Sequence, residues 1–388
     1  MAETLYQVVV RNTVGNQVAL FSGGGRGVTG GGMQAFSYRK RLRTPGSWWV
    51  QIAGDDERID LIELNTGLNY IFEFWRRDPI GGLGWYRDFS GLHRFDNFRQ
   101  VAEGRQIYVA RGRGLNDLLG GEPIRYDEGS DEAEKSGPAE TCAKEYVDEN
   151  LGSSAPAARQ LANFTIQADA ATGATWGGDR ANEQLFDVLV ELADFAPGDF
   201  NVVDSSAINA TPAFQFRWAD NQWGEDRTSG NTDGNAPVIF GVQRRNATNI
   251  DYTYSRLDEV NVVYTGGKNF REFRKVRTRT ASDVGLDDTW DTTNWARRAV
   301  FRSCQDNADS DIDDKADETL YKLRPKTEFR FEVNMSANTR YGRDWDYGDL
   351  VTVEHRGRSI DQKIVGVIVA VSGDGSVTIT PETEEWYG

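Results

Sequence analysis

The chain has 388 residues, more than one ordinary core holds, so two to four domains are expected. Hydrophobic residues make up 38% and aromatics 11%, with a mean hydropathy of -0.59, so the chain is polar yet too aromatic to be disordered. The 60 acidic against 44 basic residues give a net charge of -16, which argues against wrapping duplex DNA, because such binders need basic surfaces that release counterions from phosphates.

Residues 1–126 read as β structure. "LYQVVVR" (5–11), "QVALF" (17–21), "AFSYRKRL" (35–42), "SWWVQIA" (47–53), "YIFEFWR" (70–76) and "QIYVARG" (106–112) are rich in β-branched and aromatic residues. Turn signals such as "TVGN", "TPGS" and "DPIGGLG" separate them, and short strands spaced this way predict a barrel or sandwich. Residues 127–137, "DEGSDEAEKSG", are acidic and lack apolar periodicity, which predicts a solvated linker.

Pro138 suits a first helical turn, and Ala139, Cys142, Ala143, Tyr146, Val147 and Leu151 follow at helical spacing. A second helix is expected over 182–194, with Leu185, Val188, Leu189, Leu192 and Ala193 on one face. Strands are then predicted at 213–219, 238–245, 251–257, 260–266 and 270–280, with a polar loop over 220–236. A third helix fits 311–323, where Ile312, Ala316, Leu320 and Leu323 are in register. "DLVTVEHRG" (349–357) and two alternating runs around a "GDG" turn close the chain.

Several motifs invite a chemical reading. Gly25, Gly27 and Gly30 in "SGGGRGVTGGGM" (22–33) spell the dinucleotide fingerprint, but the pyrophosphate needs a helix opening at the third glycine. The residues after Gly32 alternate like a strand, so a loop between strands is expected. In "DNADSDIDDKADE" (306–318), Asp309, Asp311 and Asp313 alternate as calcium ligands would. Asp314 stands where that loop needs glycine and Leu320 where it needs glutamate, so a helix N-terminus is the reading. His93 and His355 are the only histidines, and neither has a partner at a ligand or triad spacing. Cys142 and Cys304 are too few for a disulfide framework or metal cluster, and Cys142 reads as a small buried thiol. Trp48 and Trp49 must face opposite sides of one strand, so at most one enters a one-sided core. No catalytic, cofactor-binding or metal-binding residue is assigned. The N-terminus shows no basic-then-apolar leader, and no run reaches about 18 apolar residues, so cytosolic synthesis without a membrane anchor is expected.

The segment "RYGRDWDYGDLVTVEHRGRSIDQKIVGVIVAVSGDGSVTITP" (340–381) resembles the closing barrel of phage tail hub proteins, through Tyr347, Gly348, Asp349, Leu350 and Val351 and the strands at Val365–Val369 and Val377–Pro381. "RTPGSWWVQI" (43–52), "FSGLHR" (89–94) and "VARGRGLNDLLGGEPIRY" (109–126) are similar to successive parts of the first hub barrel. "NEQLFDVLVELADFAPGDFNV" (182–202) resembles the middle-domain helix of siphophage hubs, and "LDEVNVVYTGG" (257–267) the strand opening the second barrel.

The reading implied is mainly β with α/β insertions: two small tail-tube-type β-barrels flanking a mixed α/β middle region. The expected parts are a barrel at 1–126, the linker at 127–137, an α/β domain at 138–256, and a barrel at 257–388 with a helical insert at about 285–325. The resemblance implies a homotrimeric baseplate hub that needs no cofactor and has no enzymatic activity. It implies a virion protein assembled in the host cytoplasm, with tail tube, distal tail, tape measure and tail fibre or tip proteins as partners. DNA would pass through without specific binding. Two rival readings are a distal or peripheral baseplate protein with a carbohydrate-binding middle domain, and a carbohydrate-active hydrolase built on two close carboxylates.

Overall fold

The computed structural model describes residues 5–23, 32–63, 70–100, 104–126, 132–207, 210–268, 271–286, 296–304, 308–335 and 339–386. The chain forms two compact units, Met1–Ile250 with Arg330–Gly388, and Asp251–Phe329. It is mainly β.

The first unit opens with β1 (Leu5–Arg11), β2 (Gln17–Gly23), β3 (Met33–Arg41) and β4 (Ser47–Ala53). A short helix, α1 (Arg58–Glu63), precedes β5 (Ile71–Asp78), β6 (Leu83–Gln100) and β7 (Gln106–Gly114). Alternation sets the faces: in β4, Trp48 is 2% exposed and its neighbour Trp49 37%. Rings from strands far apart in the sheet meet inside. Tyr6 of β1 lies 5.4 Å from Phe36 of β3, and Trp48 of β4 lies 4.3 Å from Phe72 of β5. The sheet is therefore curled around an aromatic core.

The middle of the chain adds β8 (Ala133–Pro138), α2 (Ala139–Leu151), β9 (Phe164–Ile166), β10 (Thr175–Arg180), α3 (Leu185–Phe195), β11 (Gly198–Asp204) and β12 (Phe214–Asp220). The apolar stripes of α2 and α3 bury against β11 and β12, with Tyr146, Val188, Leu192, Phe200 and Trp218 in one core. This core also takes in Ile71, Leu92 and Leu119, so it is continuous with the N-terminal strands. Part of the expected acidic linker is structured: residues 133–138 are β8, paired antiparallel with β10. The tract "AEKSGP" has little apolar content, and its hydrogen bonds and the cover of Tyr146, whose hydroxyl donates to Ala133 O at 3.2 Å, place it. Residues 127–131 lie outside the described residues.

Then come β13 (Asp226–Arg227), β14 (Ile239–Gly241) and β15 (Ala247–Ser255), which leads into the second unit. That unit has β16 (Val262–Gly266), β17 (Val276–Thr280), β18 (Ala299–Ser303) and α4 (Asp309–Lys322). Its sheet order is β17-β16-β18, and Ala316 and Leu320 of α4 pack on Val263 and Ala281. The predicted strand over 270–280 is β only from Val276, because Arg271–Phe273 make a 3-10 turn. Within the insert expected to be helical, 299–303 is β18.

The chain returns along β19 (Lys326–Val333) and ends with β20 (Leu350–His355), β21 (Arg358–Val371) and β22 (Val377–Glu385). Among the described residues one 14-stranded sheet runs β15-β19-β22-β21-β3-β4-β7-β6-β5-β1-β2, with β20 on β21 and with β13 and β14 on β20. The C-terminal strands thus pair directly with the N-terminal ones, Val369 opposite Tyr38.

Candidate functional site

The densest chemistry of the first unit lies where the C-terminal loop 339–349 meets the inner face of the N-terminal sheet. Lys40 follows Phe36 and Tyr38 in alternation along β3, which forces its side chain inward. Its ammonium donates to Asp88 of β6 at 2.8 Å, to the Tyr341 hydroxyl at 2.9 Å and to Asp346 at 3.0 Å. Asp88 also accepts from the hydroxyls of Tyr38 and, at 2.9 Å, of Tyr341. Burial opposes both charges. Asp346 and Asp88 outweigh it and raise Lys40 above the usual lysine range, while Lys40 and Arg76 hold Asp88 below the usual carboxylate range.

A second knot lies beside it. The buried Arg76 of β5 donates to the Tyr341 carbonyl and to the Tyr86 hydroxyl, each at 2.7 Å. Arg340 donates to the buried Asp78 at 2.9 Å. Trp345, buried, donates through Nε1 to Thr339 O at 3.0 Å, which fixes the loop on itself.

The "YGDLV" tract continues the seam toward the middle region. Lys40 Nζ stands 4.5 Å above the Tyr347 ring, and the Tyr347 hydroxyl accepts from Asn201 of β11 at 2.9 Å. Gly348 has φ +93, and a Cβ there would meet Trp223 Cβ at 2.8 Å. Asp349 accepts from the backbone N–H of Glu225 at 2.8 Å and of Asp346 at 2.9 Å; burial pushes its carboxyl up to about 6. Nearby, Lys363 meets the buried Asp199 at 2.5 Å.

A cavity of about 260 Å³ opens along this seam, with Lys40, Arg87, Asp88, Asn116 and Asn201 among its lining residues. Its polar groups already serve the protein. Arg87 donates to Asp204 O at 2.8 Å and pairs with Asp204 Oδ2 at 3.0 Å, and Asn116 donates to Thr44 O at 2.9 Å. The arrangement holds strands together.

The motifs singled out in the sequence fall elsewhere. Residues 24–31 of the glycine tract, with Gly25, Gly27 and Gly30, lie outside the described residues, but Met33 opens the strand β3, not a helix. Asp309 and Asp313 sit in the first turns of α4, where Arg277 donates to Asp313 at 2.7 Å and Lys275 pairs with Asp309; the side chain of Asp311 lies outside the described residues. His93 is buried and pairs with Asp96 at 2.6 Å. Cys142 is buried on α2, and burial pushes its thiol up to about 11. No cluster of three or more metal-ligating side chains occurs among the described residues. Likewise no described helix is long and apolar enough to cross a membrane.

None of the seam residues was assigned a role from the sequence, although Tyr347, Gly348 and Asp349 carried the resemblance. A signal for the rest was present: Lys40 in phase with Phe36 and Tyr38 announces a buried cation that needs acids.

The family described as Siphovirus ReqiPepy6 Gp37-like protein matches residues 125–383, more than half of the chain. The chain belongs to this family. Its fold is that of phage tail proteins. It is similar to the tail protein from Neisseria meningitidis MC58, at 12% identity and a TM-score of 0.55, covering 99% of this chain and 97% of that one. It is also similar to the 43 kDa tail protein of prophage MuSo2 from Shewanella oneidensis, at 11% identity, a TM-score of 0.57 and 98% coverage of both. The prophage tail protein gp18 from Listeria monocytogenes EGD-e is similar at 12% identity and a TM-score of 0.50, with 97% and 94% covered. No curated protein matches the chain. The chain is thus a Gp37-like protein whose fold is shared with phage tail proteins.

Proposed function

We propose that the chain is the hub of a phage tail tip or baseplate: a homotrimer without catalytic activity, in which each copy supplies two tube-type barrels. Six barrels then form a pseudo-hexameric ring that docks on the tail tube, and the DNA passes through it on ejection. The curled, aromatic-cored N-terminal sheet carries this reading. Its run β3-β4-β7-β6-β5-β1-β2 begins and ends on strands whose Cα atoms come within 8 Å of each other, as the two ends of a barrel would. Joining of β21 to β3 supports a second, C-terminal barrel built as a rigid extension of the first.

The charge fits the same role. A chain with 60 acidic and 44 basic residues around a channel repels a sliding polyanion instead of retaining it. The neighbours in this reading are the tail tube, distal tail, tape measure and tail fibre or tip proteins, assembled in the host cytoplasm and carried in the virion. Mass photometry of the purified chain with tube protein tests it. Complexes with three copies of the chain are expected, and a single copy bound to the tube contradicts the hub.

A further inference from the structure

The net negative charge is unevenly placed along the first unit. Residues 1–126 hold 16 basic and 13 acidic residues, whereas residues 132–204 hold 14 acidic and 4 basic ones. Two surfaces concentrate this difference. On the outer wall of the N-terminal sheet, strand register sets Trp49 of β4 and Phe95 of β6 on either side of Arg111 of β7. Because Trp48 is buried inside, these three side chains share the outward face. Phe95 is 47% exposed and Trp49 37%, and the Arg111 guanidinium lies 5.7 Å from the Phe95 ring. Among the described residues no hydrogen bond or ion pair takes up the donors of Arg111, nor those of Arg99 further along β6 on the same face. The second surface is the outer face of α3. Its apolar stripe, Leu185, Val188, Leu189 and Leu192, is buried, which turns Asp187, Glu191 and Asp194 outward at helical spacing. Arg180 pairs with Glu191 at 2.9 Å and Arg43 with Asp194 at 3.0 Å. Asp187 is exposed and has no ion-pair partner among the described residues.

We infer that these two surfaces meet between neighbouring copies of the chain: the Trp49–Arg111–Phe95 row of one copy packs on the outer face of α3 of the next, with Arg111 over the Asp187 carboxylate. It rests on the homotrimer proposed above. Aromatic rings flanking an arginine are the composition of an interface hot spot. The occupant follows from where the charges sit. Every copy carries the same total, but the cationic row and the acidic helix face belong to different parts of it. A head-to-tail contact therefore sets unlike charges against each other, whereas a face-to-face contact of either surface with itself sets like charges together. Arg111 and Asp187 are both left unpaired within the chain, and one contact satisfies both. Head-to-tail contacts of this kind close into rings, as a trimer requires.

Sedimentation velocity of the full chain over a concentration series tests this, comparing wild type with Arg111→Glu, Asp187→Lys and the double variant that exchanges the two charges. Thermal melts confirm that each variant folds, and anisotropy with a short oligo-dT reads nucleic-acid binding. Each single variant is expected to need about tenfold more protein to trimerise, or worse, and the double variant to recover most of that loss. Should one single variant fail to fold, the other decides by the same tenfold shift. Trimers unaffected by either single change overturn the contact while leaving the hub reading intact. Two weakened single variants with no recovery in the double overturn the pairing of the row with α3. A wild type that stays monomeric overturns both the contact and the hub. Loss of oligo-dT binding in Arg111→Glu with unchanged self-association assigns the row to nucleic acid and overturns the contact.

Discussion

Lys40 and Asp346 are 306 residues apart in sequence, and their side chains meet at 3.0 Å. This pair, with Asp88 and Tyr341, ties the loop before β20 to the inner face of β3. The ends of the chain are therefore one structure, and the charges that join them are mostly buried.

Replacing Lys40 by Met leaves Asp88 buried beside two tyrosine hydroxyls with its main cation gone. Breaking a buried pair in this way costs about 3–5 kcal/mol. Urea denaturation of the first unit's transition should show a midpoint shift of that size, whereas Lys40→Arg should cost less.

The seam gives stability two opposite pH dependences. Asp88 is lowered in the fold, so its contribution is present above the ordinary aspartate value of about 3.9 and is lost as pH falls through the folded value. Asp349 is raised to about 6, so the fold binds its proton more tightly than the unfolded chain. Its contribution is complete below about pH 4 and is lost as pH rises to about 6, at most about 3 kcal/mol. Asp349→Asn should flatten the fall between pH 4 and 6 in a series of thermal melts while leaving the acid limb unchanged.

At Gly348 the backbone itself is the constraint. Alanine there must adopt φ +93 and push Trp223 away. Gly348→Ala is expected to lower the melting temperature by several degrees, from a cost of about 1–3 kcal/mol.

Two substitutions in the second unit separate packing from surface charge. Leu320→Ala empties a fully buried site under β16 and should cost about 2–5 kcal/mol. Asp317→Asn removes the partly exposed pair with Arg279 and should cost about 0.2–1 kcal/mol. Equal effects of the two in denaturant titration contradict the core described for α4.

Cys142 should resist thiol reagents in the native chain, since its thiol is buried and raised to about 11. Labelling is expected only as the chain unfolds, read by mass spectrometry of the peptide containing Cys142.

Most elements were legible because their periodicity is strong. β4, with Trp48 and Trp49 split between faces, and α2, with Cys142, Tyr146 and Leu151 in phase, appear where the pattern put them. β8 escaped notice because "AEKSGP" pairs through its backbone and buries little of its own. β18 lies in a stretch with only Val300 and Phe301 to mark it, and Phe301 faces outward. The joining of β21 to β3 escaped for another reason: pairing between the two ends of a chain leaves no local trace. The seam shared that fate, since Lys40 and Asp88 look like surface charges until the strands that bury them are placed.

The proposed hub requires a trimeric ring on the tail tube. Electron microscopy of the chain assembled with its tube protein measures it most directly. Three copies forming a six-barrel ring coaxial with the tube, with an open axial channel, are expected. Six copies in a ring, or one copy attached to the side of the tube, contradicts it.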